Sequence, residues 1–179
     1  MKFFKACLGA ALCLSLAALA TLSAAVHAEP RIQCDDNPEN LSTYLTMHKV
    51  LFMERDTSRV TDFYADEIIS HNNDLGGGAG FRLVTPAEMA KRWDFSRERD
   101  PDRVLEDELI LCAGDFVVVR TLVKSHFIRP IAGIEPTGEA FEFTATDTYR
   151  FEDGKVVERW GNNDMAHVYQ QLGFKISRD

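Results

Sequence analysis

Positive charge is scarce in this chain of 179 residues: lysine and arginine number 20 against 28 aspartates and glutamates, a formal net charge of −8. A surface of that sign repels phosphate backbones and anionic headgroups, which argues against nucleic acid or an anionic membrane as partners. Cysteine is sparse as well. Of four, Cys7 and Cys13 fall in the first 28 residues, leaving Cys34 and Cys112. That pair forms no CxxC and no cysteine/histidine spacing of the zinc type, so a structural metal is not expected. In an oxidising compartment the two could close a single disulfide. Equally, Cys112 could be a buried strand thiol, with Cys34 facing solvent from the N-terminal lead. The glycine run Leu75-Gly-Gly-Gly-Ala-Gly80 lacks the Gly-Lys-Ser/Thr of a phosphate cradle and the spacing of a dinucleotide fingerprint. It reads as a flexible loop, a lid over a pocket mouth. Internal repeats and low-complexity tracts are missing after residue 28.

A long apolar stretch runs from Ala6 to about Ala25, behind Lys2 and Lys5 and ahead of Val26-His27-Ala28. This is the pattern of a secretory signal over residues 1–28, cleaved after Ala28, with an uncleaved anchor as the alternative for a run of that length. Neither cysteine within it has the neighbours of a lipoprotein box. Cleavage would remove two lysines, taking the charge to −10 over 151 residues, enough chain for one sizeable core. The expectation is a secreted or periplasmic protein with no stable membrane insertion after signal cleavage. Residues 29–40 are polar with two prolines and read as a loose leader. Residues 41–175 read as one domain.

Within that domain a helix is expected to about Arg55, with Leu41, Tyr44, Leu45, His48, Leu51 and Phe52 as its apolar stripe. His48 on that stripe reads as a core or boundary histidine. Asp56 or Thr57 can cap a short second helix holding Val60, Phe63 and Tyr64, and Ile68 to Asn72 reads as a strand. Thr85-Pro86-Ala87-Glu88 is a capping box with proline at the first helical position. It opens a helix that turns Met89, Ala90 and Trp93 inward, and Pro101 stops it. From Arg103 the period drops to two. Leu105, Leu109 and Leu111 alternate with acids up to the turn at Ala113-Gly114-Asp115. Phe116 to Ile128 is a long strand that turns polar at Lys124, Ser125 and His126.

The stretch from Glu139 to Gly173 is the most informative. Asp153-Gly154 between alternating runs is a strong hairpin signal. Before it, Phe141, Phe143, Ala145, Asp147, Tyr149 and Phe151 share one phase, while Glu142, Thr144, Thr146, Thr148 and Arg150 fill the other. Asp147 therefore sits on the apolar face. An ionised carboxylate there costs several kcal/mol unless it is paired or hydrogen-bonded. It is either a structurally satisfied acid or a general acid/base held in a pocket. Glu158 and Trp160 share a phase and read as a rim ion pair and a core aromatic before substrate contacts.

Asp147, Arg150-Phe151, Asp153-Gly154-Lys155-Val156, Glu158-x-Trp160 and Asp164, closed by Gln171-Leu172-Gly173, resemble the C-terminal half of the SnoaL-like polyketide cyclase family. That family belongs to the nuclear transport factor 2-like superfamily. The resemblance implies an α+β fold: a cone-shaped, curved antiparallel sheet with helices packed on one face. It further implies aldol- or cyclase-type proton transfer on a small apolar carbonyl ligand, without metal or organic cofactor. Asp147 would be the acid/base, with His71 and His126 in the same pocket. A two-histidine, one-carboxylate iron site is the lesser alternative for those three side chains. Asn72, Trp93, Tyr149 and Trp160 are the expected substrate-pocket residues. Asn72 stands where the superfamily's ketosteroid isomerases carry a carboxylate base, so isomerase chemistry is not copied directly. The rival expectation is a non-catalytic ligand-binding or dimerisation module, a homodimer through the outer face of the sheet. A filled cavity with Asp147 bridged to Arg120 or Arg150 would favour it.

Overall fold

The computed structural model describes residues 29–71, 80–131 and 133–173. The signal assigned to residues 1–28, Asn72 and all of the glycine run but Gly80 lie outside the described residues.

Chain order is β1 (Arg31–Gln33), α1 (Pro38–Met47), α2 (Val60–Phe63), β2 (Tyr64–Ser70), β3 (Arg82–Val84), α3 (Pro86–Arg99), β4 (Val104–Ala113), β5 (Phe116–His126), β6 (Ala140–Glu152), β7 (Lys155–Asn163) and α4 (Met165–Gln171). Helix α1 runs straight into a π-helical segment, His48–Met53, and a 3₁₀ turn, Thr57–Arg59, leads into α2. The capping boundaries follow local chemistry. The Asn37 side chain accepts from Asn40 N at the start of α1, where Pro38 has no donor to lose. The reciprocal Thr85/Glu88 box opens α3 as its sequence predicts. Asp153 and Gly154 both take positive φ, 50° and 73°. That is the pair of left-handed residues a tight hairpin matched to strand twist requires.

Among the described residues one seven-stranded sheet has the order β1-β4-β5-β6-β7-β2-β3. The four long strands β4 to β7 are antiparallel, each following its neighbour through a turn or loop. The outer pairs β1–β4 and β2–β7 are parallel. The sheet is therefore mixed rather than wholly antiparallel, because these partners are distant in sequence and no hairpin constrains their direction. Register breaks at Asp107/Leu109, Arg150/Phe151 and Tyr64/Ile69 are bulges of the kind that bend a sheet. The bent sheet presents one face to helices α1 and α3. Met47 and Leu51 from the α1 segment, Ile68, Ile110, Val117 and Val156 from the strands are all buried in the core between them. Each such side chain contributes about 1.5–3 kcal/mol of burial.

The leader is not loose throughout. β1 pairs with β4, and Cys34, just beyond it, is disulfide-bonded to Cys112 of β4 across a separation of 78 residues. At the other end α4 packs on β6, where the Gln171 side chain donates to Glu142 O and accepts from Glu142 N.

Candidate functional site

Which side chains share the concave face is set by register. Val119 pairs with Asp147, which pairs with Gly161, and Val117 with Tyr149, which pairs with Arg159. The buried partners place this set inside. Across the bulge of β4, Asp107 pairs with Thr121 and Ile110 with Val119, so Asp107 also points inward. In β7 the bulge after Val156 reverses the phase. Val156 and Arg159 face in, while Glu158 and Trp160, paired with Arg150 and Thr148, face out.

Four of these inner residues, Val119, Thr121, Asp147 and Tyr149, line a hollow of about 60 Å³ together with the α1 segment. Tyr44, His48 and Phe52 line it from the helix side, and Leu105, Thr121 and Asp147 are among its sheet residues. Asp147 is 24% exposed, and its Oδ1 accepts from Arg159 Nη2 at 2.8 Å. Burial alone would push the Arg159 guanidinium down, but the Asp147 carboxylate beside it outweighs burial and holds it above the usual arginine range. Arg159 Nε and the Tyr64 hydroxyl are buried without a hydrogen-bond partner among the described residues. Burial raises the Tyr64 and Tyr149 hydroxyls, so both remain protonated.

A second polar cluster is centred on Asp107, whose partners Tyr44, His48 and Thr121 line the hollow. Asp107 Oδ2 accepts from the Tyr44 hydroxyl at 2.8 Å and lies 3.1 Å from His48 Nδ1, while its Oδ1 accepts from Thr121 Oγ1 at 2.8 Å. His48 Nδ1 is also 3.0 Å from the Tyr44 oxygen. Burial pushes the Asp107 carboxyl up, but the bonds from His48, Tyr44 and Thr121 outweigh it and hold the group below the usual carboxylate range. Asp107 and Asp147 lie on strands separated by β5, on the order of 10 Å apart by strand spacing.

The expected convergence of His71 and His126 on Asp147 does not occur. His71 follows Ser70, which is buried on the inner side opposite Arg159, and alternation turns the imidazole to the outer face. There Nε2 meets Glu158 Oε1 at 2.8 Å, and the ring stacks on Trp160 with centroids 4.6 Å apart and planes 5° apart. Trp160 is thus an outer-face aromatic rather than a pocket wall, sent there by the β7 bulge. His126 is the last residue of β5, in the outer phase with Lys124, and is ion-paired with Asp102. It borders a separate, wide groove of about 500 Å³ shared with Lys124, Phe141, Glu142 and Gln171. Trp93 packs edge-on against Phe52 at 5.2 Å, behind the hollow. Tyr149 lines the hollow beside Asp147. Among the described residues no cluster of three or more histidine, cysteine or acidic side chains is placed to hold a metal. Asp147 meets neither Arg120, which pairs with Glu108, nor Arg150, which pairs with Glu158.

Three inner residues escaped the sequence reading: His48 as a site residue, Asp107 and Arg159. Asp107 carried a signal, since it shares parity with Leu105, Leu109 and Leu111, the same acid-in-an-apolar-phase anomaly as Asp147. Arg159 carried none, because parity places it opposite to Val156.

The model of the SnoaL-like polyketide cyclase family matches residues 42–172. Among solved structures, wild-type IdmH from Streptomyces antibioticus aligns at 23% identity and a TM-score of 0.65, over 75% of this chain and 99% of its own. AclR from Streptomyces galilaeus aligns at 25% identity and a TM-score of 0.63, over 80% and 87%. A SnoaL-like polyketide cyclase from Agrobacterium tumefaciens aligns at 16% and 0.62, over 75% and 98%. No curated protein matches the chain.

Proposed function

This chain belongs to the SnoaL-like polyketide cyclase family, and we propose that it performs metal-free acid/base proton transfer, of the aldol or cyclase type, on a small and largely apolar carbonyl compound. The observation that carries this reading is Asp147, an acid inside an apolar hollow, oriented by a largely buried guanidinium at 2.8 Å. Walls such as Phe52, Leu105, Val119 and Val123 exclude water and strengthen every charge interaction within. The hollow is smaller than the few hundred Å³ of an ordinary ligand pocket, so the group it takes is a compact carbonyl fragment. A proton leaves the carbon next to that carbonyl, and donors facing the hollow stabilise the enolate. We place the protein in a secreted or periplasmic setting, a reading the Cys34–Cys112 disulfide supports.

A thermal-shift screen of small carbonyl compounds and aromatic polyketides identifies a ligand, and turnover of that ligand tests the role of Asp147. Asp147→Asn keeps the shape and hydrogen-bonding capacity toward Arg159. It is expected to lower turnover by about 100-fold or more with an unchanged far-UV spectrum. Unchanged turnover removes Asp147 from the proton transfer. A second reading, a non-catalytic ligand-binding or homodimerising module, is favoured by the small hollow and by the ion pair that already satisfies Asp147. It predicts binding without conversion of any compound in the screen.

A further inference from the structure

We infer that His48, aimed by Asp107, is the catalytic base of the hollow; this rests on the proton-transfer reading and assigns its base to a side chain on α1's continuation rather than to a strand histidine. The geometry leaves the imidazole one arrangement. The Tyr44 hydroxyl spends its proton on Asp107 Oδ2 at 2.8 Å. A carboxylate oxygen 3.1 Å from Nδ1 would repel a lone pair there, so Nδ1 carries the ring proton and points it at Asp107 and the Tyr44 oxygen. Nε2 is then the basic nitrogen, and it has no hydrogen-bond partner among the described residues. His48 itself lines the hollow opposite Asp147, and Phe52 and Tyr44 pack edge-on against its ring, which stops it turning. An aspartate that fixes the tautomer and orientation of an imidazole and balances the imidazolium is the generic device for making histidine a base.

The proton balance closes. The α C–H bond breaks, its electron pair enters the enolate, and the proton forms the Nε2–H bond of an imidazolium next to the Asp107 carboxylate. The same proton returns from Nε2 to carbon, or to the alkoxide oxygen formed when the enolate adds to a second carbonyl. No oxidant, reductant or further reactant is consumed. Asp107 touches no substrate and is a positioning residue, held in turn by Thr121 and Tyr44.

Two measurements on the full chain decide it. Long-range ¹H–¹⁵N spectra of histidine-labelled protein are expected to show neutral His48 as the Nδ1–H tautomer, and Asp107→Asn is expected to redistribute it. An Nε2–H tautomer overturns the inference whatever the activity. Deuterium incorporation into the α positions of cyclopentanone in D₂O is the second. Wild type is expected to catalyse it, and His48→Gln to slow it about 100-fold or more, with folding of the variant checked by its melting transition. Exchange retained in His48→Gln overturns the inference and leaves the proposed function standing. Asp107→Asn, which preserves side-chain shape, is expected to slow exchange as well. No exchange by wild type overturns the proton-transfer reading together with this one.

Discussion

Inside the sheet His48 Nδ1 lies 3.1 Å from Asp107 Oδ2, the two side chains 15% and 9% exposed; outside it His71 Nε2 lies 2.8 Å from Glu158 Oε1, at 25% and 16%. The pairs are chemically alike and differ in company. The outer histidine lies flat on Trp160, and its acid is shared with Arg150. Burial would raise the Glu158 carboxyl, but His71 and Arg150 hold it below the usual range. That is a charge-compensated network on the outer face. The inner acid is bonded by Tyr44, Thr121 and His48, and the inner histidine lines a largely apolar hollow. A histidine–carboxylate pair therefore does not mark a site. The space it faces does.

The contrast is breakable at several strengths. The largest expected effect is on the inner ion pair. Arg159→Met strands Asp147 without its partner and should cost about 3 kcal/mol in urea unfolding. The outer counterpart, Arg150→Met, should cost about 1 kcal/mol or less. Equal losses would erase the distinction between the faces.

Next comes Asp107→Asn, expected to destabilise by about 2 kcal/mol at pH 7 through its weakened charged hydrogen bonds. Its folded pKa is depressed, so its contribution is complete above the unfolded value of about 3.9 and is lost as pH falls through the folded one. The stability gap between parent and variant should narrow below about pH 4. A gap that stays constant into acid would show that the carboxylate's charge is not what His48 and Tyr44 stabilise.

Smaller still, Glu158→Gln should cost about 1 kcal/mol or less and leave turnover intact. A collapse of turnover would move the site to the outer face. Smallest is His126→Ala at the exposed strand end, expected to fall within about 0.5 kcal/mol; it too should leave turnover intact.

Asp147 was legible because an acid stood in a run of apolar alternation and no bulge precedes it in β6. The hairpin was legible because Asp-Gly tolerates two consecutive left-handed residues. Asp107 carried the same anomaly as Asp147, but its strand alternates leucines with acids, and one more acid did not stand out. Trp160 and Glu158 share parity with the buried Val156, yet a bulge turns them outward and brings Arg159 in. His71 and His126 were drawn to the pocket by family likeness, while their own strand phases send them to the opposite face. The join between Cys34 and Cys112 was left open because β1 had no local signal to place it beside β4.

Sequence by itself determined the local elements, their caps and turns, the family and one inward acid, since each depends on residues a few positions apart. Tertiary structure alone decided which histidine shares a cavity with that acid. Side chains alternate with a period of two, and a single extra residue in a paired strand inverts every direction beyond it. Where such a residue is accommodated depends on the neighbouring strand, so the facing of His48, Asp107 and Arg159 exists only once the sheet has closed beneath α1.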